Sequence, residues 1–174
     1  MATDSNNKGR ALITGASGGI GLELAREFAA NGHPLILVAR NEDRLNELAA
    51  ELTRSHRVEA TVIPADLSDP NGPSALFEEV GRRNLQVDIL VNNAGIMDTG
   101  AFAAAETETV LGIVRLNVAA LTALTSLFVK PMLARGKGRI LNVASLAAFQ
   151  PLPSMAVYAA SKAYVLSLTE ALAE

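Results

Sequence analysis

The 174-residue chain is 49% hydrophobic and 19% charged, a balance typical of one globular domain and unlike that of a disordered segment. Its net charge of −3 gives no basic surface for nucleic acid or anionic lipid. The lack of cysteine excludes disulfides, thiolate metal sites and a cysteine nucleophile. The polar residues 1–9 lack the apolar core of a signal peptide, so we expect a cytoplasmic protein.

Strand-like and helix-like segments alternate along the chain. The predicted strands are Arg10–Thr14, Pro34–Arg40, Val58–Pro64, Asp88–Asn92 and Arg139–Ala144. Helices are predicted after the glycine-rich turn that follows the first strand, and over residues 41–55, 70–83, 107–135 and 157 onward. Near-continuously apolar strands in repeated βα units predict a parallel sheet with helices on both faces. Right-handed crossovers then give an α/β, doubly wound, three-layer fold, with a ligand at the carboxyl ends of the strands.

The glycine-rich turn is Thr14–Gly21, TGASGGIG, between the first strand and its helix. A strand, a glycine turn and a helix N-terminus together make an anion site. The backbone N–H groups and the helix dipole point at a phosphate, and glycines let a diphosphate approach closely. Glycines also form ordinary tight turns, but this context favours phosphate binding.

The residues at the end of the second strand indicate whether a site of this kind prefers NAD(H) or NADP(H). An NAD site places an acidic residue there to bind the ribose hydroxyls. Here Ala39 fills the acidic position and Arg40 follows it. A guanidinium matches a phosphate dianion in charge and in its paired N–H donors. NADP(H) is therefore favoured over NAD(H), unless Arg40 is only a solvated charge at the strand end.

Tyr158 and Lys162 lie four residues apart, about one helical turn, so both project from one face of the last predicted helix. A phenol alone is a poor acid or base at neutral pH. A neighbouring ammonium favours the phenolate and so makes the phenol a better proton donor. Ser145 precedes this pair by thirteen residues. The combination indicates a carbonyl/alcohol redox site beside a dinucleotide pocket.

These motifs together resemble the classical short-chain dehydrogenases/reductases. The stretch Thr14–Gly21 is similar to their Thr-Gly-x-x-x-Gly-x-Gly fingerprint, and Asn92-Asn93-Ala94-Gly95 is similar to their second motif. Four residues match the family's catalytic tetrad in type and order: Asn117, Ser145, Tyr158 and Lys162. The resemblance covers the chain from about Lys8 to its end. It looks closest to NADP-dependent reductases of apolar ketones or acyl groups.

The resemblance implies a Rossmann-like domain in which NADP(H) exchanges hydride with a small-molecule carbonyl or secondary alcohol. Tyr158 would exchange the proton, Ser145 would hydrogen-bond the substrate oxygen, and Lys162 would also hold the nicotinamide ribose. Asn117 would position a water that links this lysine to solvent. The implied cofactor contacts are Gly15, Ser17, Gly19, Ile20, Gly21, Arg40, Asp66, Leu67, Asn93, Ala94, Gly95, Tyr158 and Lys162.

Several of these residues also have plain structural interpretations. Ser145 could cap a turn, and Asn117 could kink its helix through local backbone bonding. Asp66, which the resemblance places at the adenine amino group, could instead cap the turn that contains Ser68. Asn92 could simply tie the sheet to its neighbours.

Apolar residues surround the expected reaction centre. They are Met97, Leu146, Phe149, Leu152 and Met155, and no Lys or Arg lies between residues 146 and 160. We therefore expect an apolar ketone, aldehyde or acyl substrate rather than a phosphorylated one. The alternative is that these side chains are ordinary core.

Residues 110–129 approach the length of a membrane span, but Arg115, Asn117 and several threonines interrupt the apolar run. A helix buried against the sheet on one side and another subunit on the other explains this pattern better. The resemblance implies a homodimer or homotetramer through the helices around 107–135 and 157–174.

Glu174 lies inside the last predicted helix, whereas the family continues with further strands and a substrate-covering segment. We therefore expect one domain over 1–174 that lacks those C-terminal parts. Two function classes follow. The first is an NADP-dependent oxidoreductase acting on CH–OH groups. The second is a truncated, catalytically inactive dinucleotide-binding fragment or a partner-dependent subunit.

Overall fold

A single parallel sheet organises the protein in the computed structural model, which describes residues 8–173. Its strands are β1 (Ala11–Thr14), β2 (Leu35–Ala39), β3 (Ala60–Pro64), β4 (Ile89–Asn92) and β5 (Arg139–Asn142). Their order in the sheet is β3-β2-β1-β4-β5, and every pairing is parallel. The chain builds the sheet outward in one direction from β1 to β3 and in the other direction from β4 to β5. This reversal of the strand order, between β1 and β4, opens a crevice at the carboxyl ends of these strands. The predicted α/β doubly wound fold is confirmed.

In the described part of the chain, six α-helices connect and cover the strands: α1 (Gly19–Ala30), α2 (Glu42–His56), α3 (Gly72–Arg82), α4 (Thr107–Val114), α5 (Leu121–Ala134) and α6 (Ala156–Ala171). The same residues contain three 3₁₀ turns, at Phe102–Ala104, Leu146–Phe149 and Pro153–Met155. The Asn41 side chain accepts a 2.9 Å bond from the Arg44 backbone N–H at the start of α2. This pairs one of the donors that a helix start leaves free.

The sheet separates two apolar layers, because successive residues of a strand point to opposite faces. On one face, Leu12 packs in a cluster with Leu76 of α3 and Leu124 of α5. On the other, Ile13 packs in a cluster with Ala25 of α1 and Leu45 of α2. A fully buried leucine or isoleucine contributes about 2 kcal/mol by removing its surface from water. Both clusters run beneath the crevice, so the strand ends that form it rest on close-packed core.

The predicted helix over residues 107–135 is divided into α4, a π-helical segment Arg115–Ala120, and α5. Taken as one helix, Thr107–Ala134 is long and apolar enough to cross a membrane by length and composition. Leu124 and Phe128 nevertheless pack into the core against the sheet, only 1% and 3% exposed. Core helices of soluble proteins pass the same length and composition test, so it is weak evidence for a span.

Candidate active site

Thr14 ties the end of β1 to the end of β4. Its hydroxyl accepts backbone N–H bonds from Asn93 and Ala94, both 3.0 Å, and donates to the Val91 carbonyl at 3.2 Å. Because a hydroxyl can both accept and donate, one buried side chain bonds three backbone groups at the end of β4. The two sequence motifs of the predicted cofactor site are therefore physically joined.

Gly15 and Gly21 bring the glycine turn against this junction. Gly15 has φ +69°, in the left-handed region that glycine tolerates best. A Cβ on buried Gly21 would lie closer than 3.0 Å to the Gly15 carbonyl oxygen and to Asn93 Nδ2. Asn93 Nδ2 in turn donates to the Thr14 carbonyl at 2.9 Å. The turn thus folds back so tightly that α1 begins, at Gly19, directly over the strand ends.

A cavity of about 420 Å³ opens above the glycine turn. It brings together seven of the predicted cofactor residues: Gly15, Ser17, Arg40, Asp66, Leu67, Ala94 and Gly95. Ile20 points to solvent at 63% exposure, and Gly21 and Asn93 lie beneath the turn. The cavity wall also contains Asn41 and Arg44, which the sequence reasoning missed. The sequence signal for Arg44 is its position, because it is a second cation four residues after Arg40 and lies in the first turn of α2.

Asp66 forms the turn that follows β3. Its Oδ1 accepts from the Ser68 backbone N–H at 2.9 Å and from the Ser68 hydroxyl at 2.6 Å. These bonds, together with the nearby charge of Arg40, lower the pKa of the Asp66 carboxyl. The turn-forming interpretation therefore holds in this structure. Contact between Asp66 and an adenine ring stays a prediction.

Asn117 lies in the π-helical segment and is 1% exposed. Its Oδ1 accepts from the Ile96 N–H, and its Nδ2 donates to the Ile96 carbonyl, both at 2.9 Å. This pair of bonds holds the backbone that follows the Asn-Asn-Ala-Gly motif. Asn117 thus bonds a different segment rather than its own helix, in contrast to the local bonding considered from the sequence.

Tyr158 and Lys162 lie on α6, as predicted. Lys162 is 6% exposed, its Nζ donates to the Val143 carbonyl at 2.7 Å, and it lies 5.9 Å from the centre of the Tyr158 ring. Burial lowers the pKa of the Lys162 ammonium, because a charged amine loses hydration there. Tyr158 is half-buried and lines a small separate cavity with Gly100 and Phe102. The lysine therefore lies buried beneath a phenol that remains partly accessible.

Ser145 follows β5 and starts the 3₁₀ turn Leu146–Phe149, which packs against α6. Its hydroxyl oxygen accepts a 3.1 Å bond from the Ala147 N–H, so the capping interpretation holds. A hydroxyl that accepts a bond can still donate its own hydrogen. The cap therefore leaves a role toward a substrate oxygen available.

Asn92 ties the sheet to its neighbours, which is the structural interpretation considered from the sequence. Its Nδ2 donates to Thr125 Oγ1 of α5 at 3.1 Å and to Asn142 Oδ1 of β5 at 2.9 Å. The first asparagine of the motif therefore ties the sheet to its neighbours, and the second ties the glycine turn. Within residues 8–173, no group of three His, Cys, Asp or Glu side chains is placed to hold a metal ion.

The ordered motifs and their joined geometry match a known family over nearly the whole chain. The model of the short chain dehydrogenase family matches residues 9–174. The chain belongs to the short-chain dehydrogenase family. Among its relatives is the granaticin polyketide synthase putative ketoacyl reductase 1 of Streptomyces violaceoruber, 40% identical over 165 residues, which are 93% of this chain and 60% of the relative.

Solved structures of short-chain dehydrogenases share the same architecture. The bulky-bulky ketone specific alcohol dehydrogenase from Comamonas testosteroni is 39% identical with a TM-score of 0.89, over 95% of this chain and 66% of that one. A short-chain dehydrogenase from Sphingobium yanoikuyae, in complex with NADPH, is 38% identical with a TM-score of 0.89, over 95% and 64%. The chain spans about half the length of several curated relatives that it matches.

Proposed function

We propose that this chain carries the cofactor-binding and proton-transfer residues of an NADP(H)-dependent oxidoreductase acting on CH–OH groups of a small apolar substrate. The main support is that one crevice edge collects the glycine turn, Arg40 and the Asn117–Ile96 clamp, while α6 presents Tyr158 over buried Lys162. Each feature alone has a structural explanation. Their combination suits a dinucleotide beside a proton donor.

The crevice has the shape and charge that a dinucleotide phosphate requires. Gly15 and Gly21 close the turn against Asn93, Gly18 lines the cavity with nothing within 4 Å of the place of a Cβ, and α1 starts directly above. Arg40 and Arg44 both line the cavity, and Ala39 replaces the carboxylate that would repel a ribose 2′-phosphate. The NADPH bound in the similar Sphingobium protein supports the same cofactor here.

The reaction chemistry follows from the placement of the side chains. When bound, the nicotinamide ring gives or takes the hydride. Tyr158 gives its proton to the carbonyl oxygen during reduction, and the Lys162 charge stabilises the phenolate that remains. The Ser145 hydroxyl donates to the same oxygen, where negative charge develops. These roles require a charged lysine, which the bond to the Val143 carbonyl helps to maintain against the effect of burial.

The proposed water path from Lys162 passes Gly95. A Cβ at Gly95 would lie 3.2 Å from Asn117 Oδ1 and 3.6 Å from Lys162 Nζ, so both polar atoms lie close to the same side of this glycine. A water that reached both atoms would have two partners from the protein. This supports the role that the family resemblance implies for Asn117.

Exposed apolar side chains near the catalytic residues support an apolar substrate. Leu146, Phe149 and Met97 are 85%, 71% and 56% exposed. These three side chains are exposed in this structure rather than packed into its core. Leu152 and Met155 are half-buried. The similar proteins named for a ketoacyl substrate and for bulky ketones support the same class of substrate.

We also propose that the chain associates through the outer sides of its late helices. Leu111 and Val114 of α4 are 45% and 40% exposed, Leu133 of α5 is 74% exposed, and Leu172 after α6 is 55% exposed. These side chains lie in the segments that the family resemblance assigns to a homodimer or homotetramer. Leu124 is not part of this surface, because it faces the sheet.

Titration of NADPH and NADH against the wild type, Arg40→Ala and Arg54→Ala tests the cofactor proposal. Arg54 is exposed near the far end of α2 and serves as the matched control. We expect the wild type to prefer NADPH. Loss of a charge-assisted contact should weaken NADPH binding by about tenfold or more in Arg40→Ala, and NADH binding much less. Equal affinities in the wild type, or an unchanged ratio in Arg40→Ala, would refute the assignment.

Turnover of an apolar ketone separates the enzyme from its alternative. The wild type should oxidise NADPH with such a ketone, and Tyr158→Phe should lose about a hundredfold or more because the proton donor is removed. Tight NADPH binding without turnover in the wild type would instead favour the inactive fragment or the partner-dependent subunit.

A further inference from the structure

Ser161 connects two parts of the site that the sequence motifs treat separately. It lies on α6 between Tyr158 and Lys162 and is 3% exposed. Its hydroxyl donates to the Tyr158 carbonyl at 2.7 Å and accepts from Asn117 Nδ2 at 3.1 Å. With its only hydrogen directed at the Tyr158 carbonyl, the Ser161 oxygen can act toward Asn117 only as an acceptor.

The acceptor role of Ser161 completes the bonding of the Asn117 amide. One Nδ2 hydrogen goes to the Ile96 carbonyl, the other goes to Ser161, and Oδ1 takes the Ile96 N–H. All three bonds suit one orientation of the amide, and a flipped amide would break all three. Since Asn117 and Ser161 are both buried, water is poorly placed to replace a missing partner.

The bonds therefore form a continuous path from the proton-transfer helix to the cofactor crevice. It runs from the Tyr158 carbonyl through the Ser161 hydroxyl and the Asn117 amide to both polar groups of Ile96. Ile96 and the preceding Gly95 line the 420 Å³ cavity. The positions of the phenol and of the crevice wall are thus set by a shared set of hydrogen bonds.

We propose that Ser161 is a positioning residue that fixes the turn carrying Tyr158 and Lys162 relative to the Ile96 wall of the cofactor crevice. This role in the reaction rests on the function proposed above. It requires the serine hydroxyl rather than a small side chain as such, because alanine would fill nearly the same space without accepting the amide. A shift of the two elements relative to each other would misalign hydride and proton transfer.

Residue-resolved hydrogen exchange at the Ile96 amide, measured on the protein without cofactor, tests the coupling directly. In Ser161→Ala, we expect this amide to exchange about tenfold faster, because the Asn117 amide loses one of its three anchors. Turnover with NADPH should fall by a similar factor. Ser161→Cys gives a slightly larger side chain that is only a weak acceptor, so it provides the same comparison if the alanine variant does not fold.

Tyr164→Phe is the matched control. The Tyr164 hydroxyl bonds Thr122 Oγ1 at 2.9 Å, which also joins α6 to the neighbouring helix but does not reach Ile96. Its removal should leave the Ile96 amide unchanged. An unchanged Ile96 amide in both Ser161 variants would overturn the coupling. An equal rise in Tyr164→Phe, or an equal rise across the β1 and β4 amides, would also overturn it.

Cofactor binding by the wild type gives a separate result for the proposed function. If the wild type does not bind NADPH while Ser161→Ala still releases the Ile96 amide, the oxidoreductase proposal fails and the hydrogen-bonded link stands. If the wild type binds NADPH and turns over an apolar ketone while Ile96 does not respond in the variants, the oxidoreductase proposal stands and the positioning role is refuted.

Discussion

Replacing Gly21 by alanine should damage the structure although alanine is the better helix former. Gly21 is the third residue of α1, and a Cβ there would overlap the Gly15 carbonyl oxygen and Asn93 Nδ2. Neither atom can move freely. The first is backbone in a left-handed turn, and the second is held by its bond to the Thr14 carbonyl.

The size of the effect follows from three contributions. Overpacking a tight buried site destabilises by about 1–3 kcal/mol, and loss of the Asn93 bond adds about 1 kcal/mol. The helix propensity of alanine returns up to about 1 kcal/mol. We therefore expect Gly21→Ala to lower the free energy of unfolding by about 2 kcal/mol, or Tm by about 4–8 °C for a domain of this size.

Gly81→Ala is the matched control for urea and thermal unfolding. Gly81 lies near the end of α3, and an added Cβ meets nothing within 4 Å. The same substitution there should stabilise the protein by about 0.5–1 kcal/mol. Equal stability of the two variants would refute the reasoning, because it would mean that the turn opens at no energetic cost.

Three further outcomes follow from the charges and surfaces. Lys162→Met should be more stable than the wild type at neutral pH, because burial lowers the pKa of Lys162 and the buried charge costs stability. As pH rises toward the ordinary lysine pKa, the folded protein loses this charge first, so the difference in the free energy of unfolding should shrink in urea titrations. A difference that stays constant with pH would contradict this. Arg82 and Arg83 lower the pKa of Glu79 to about 2, so the wild type has a stabilisation above the ordinary glutamate pKa and loses it as pH falls from that pKa toward about 2. Glu79→Gln should lack this stabilisation, and matching acid unfolding curves for the two proteins would contradict the prediction. Val114→Glu should reduce the mass seen by light scattering at micromolar concentration, and an unchanged assembly would exclude this face.

The sheet was predictable because its strands are short apolar runs bounded by residues that favour turns and loops. Parallel strands buried on both faces require such runs, and the predicted strands differ from the observed ones by at most two residues at either end. The glycine turn and the Tyr158–Lys162 pair were predictable for a related reason. In both, a short fixed spacing determines the local geometry, and the sequence states the spacing directly.

Features that depend on contacts between distant segments were not predictable. An apolar pattern around residue 124 places Leu124 on a helix but does not say whether it faces the sheet or another subunit. Nothing near Ser161 indicates its bond to Asn117, 44 residues away. Arg44 is an intermediate case. The sequence places a second cation four residues after Arg40, but its place in the cavity wall also depends on how α2 leaves β2.

The π-helical segment Arg115–Ala120 has a consequence for how this region tolerates insertions and deletions. A π turn contains one residue more than an α turn, so the faces of α4 and α5 are offset by about 100° from those of one regular helix. Deleting one residue from the segment would allow a continuous α-helix with better local hydrogen bonds. It would also rotate Ile113 away from the core, or Asn117 away from Ile96. Length variation within these six residues should therefore be selected against more strongly than substitution, even where the helix itself would gain regularity.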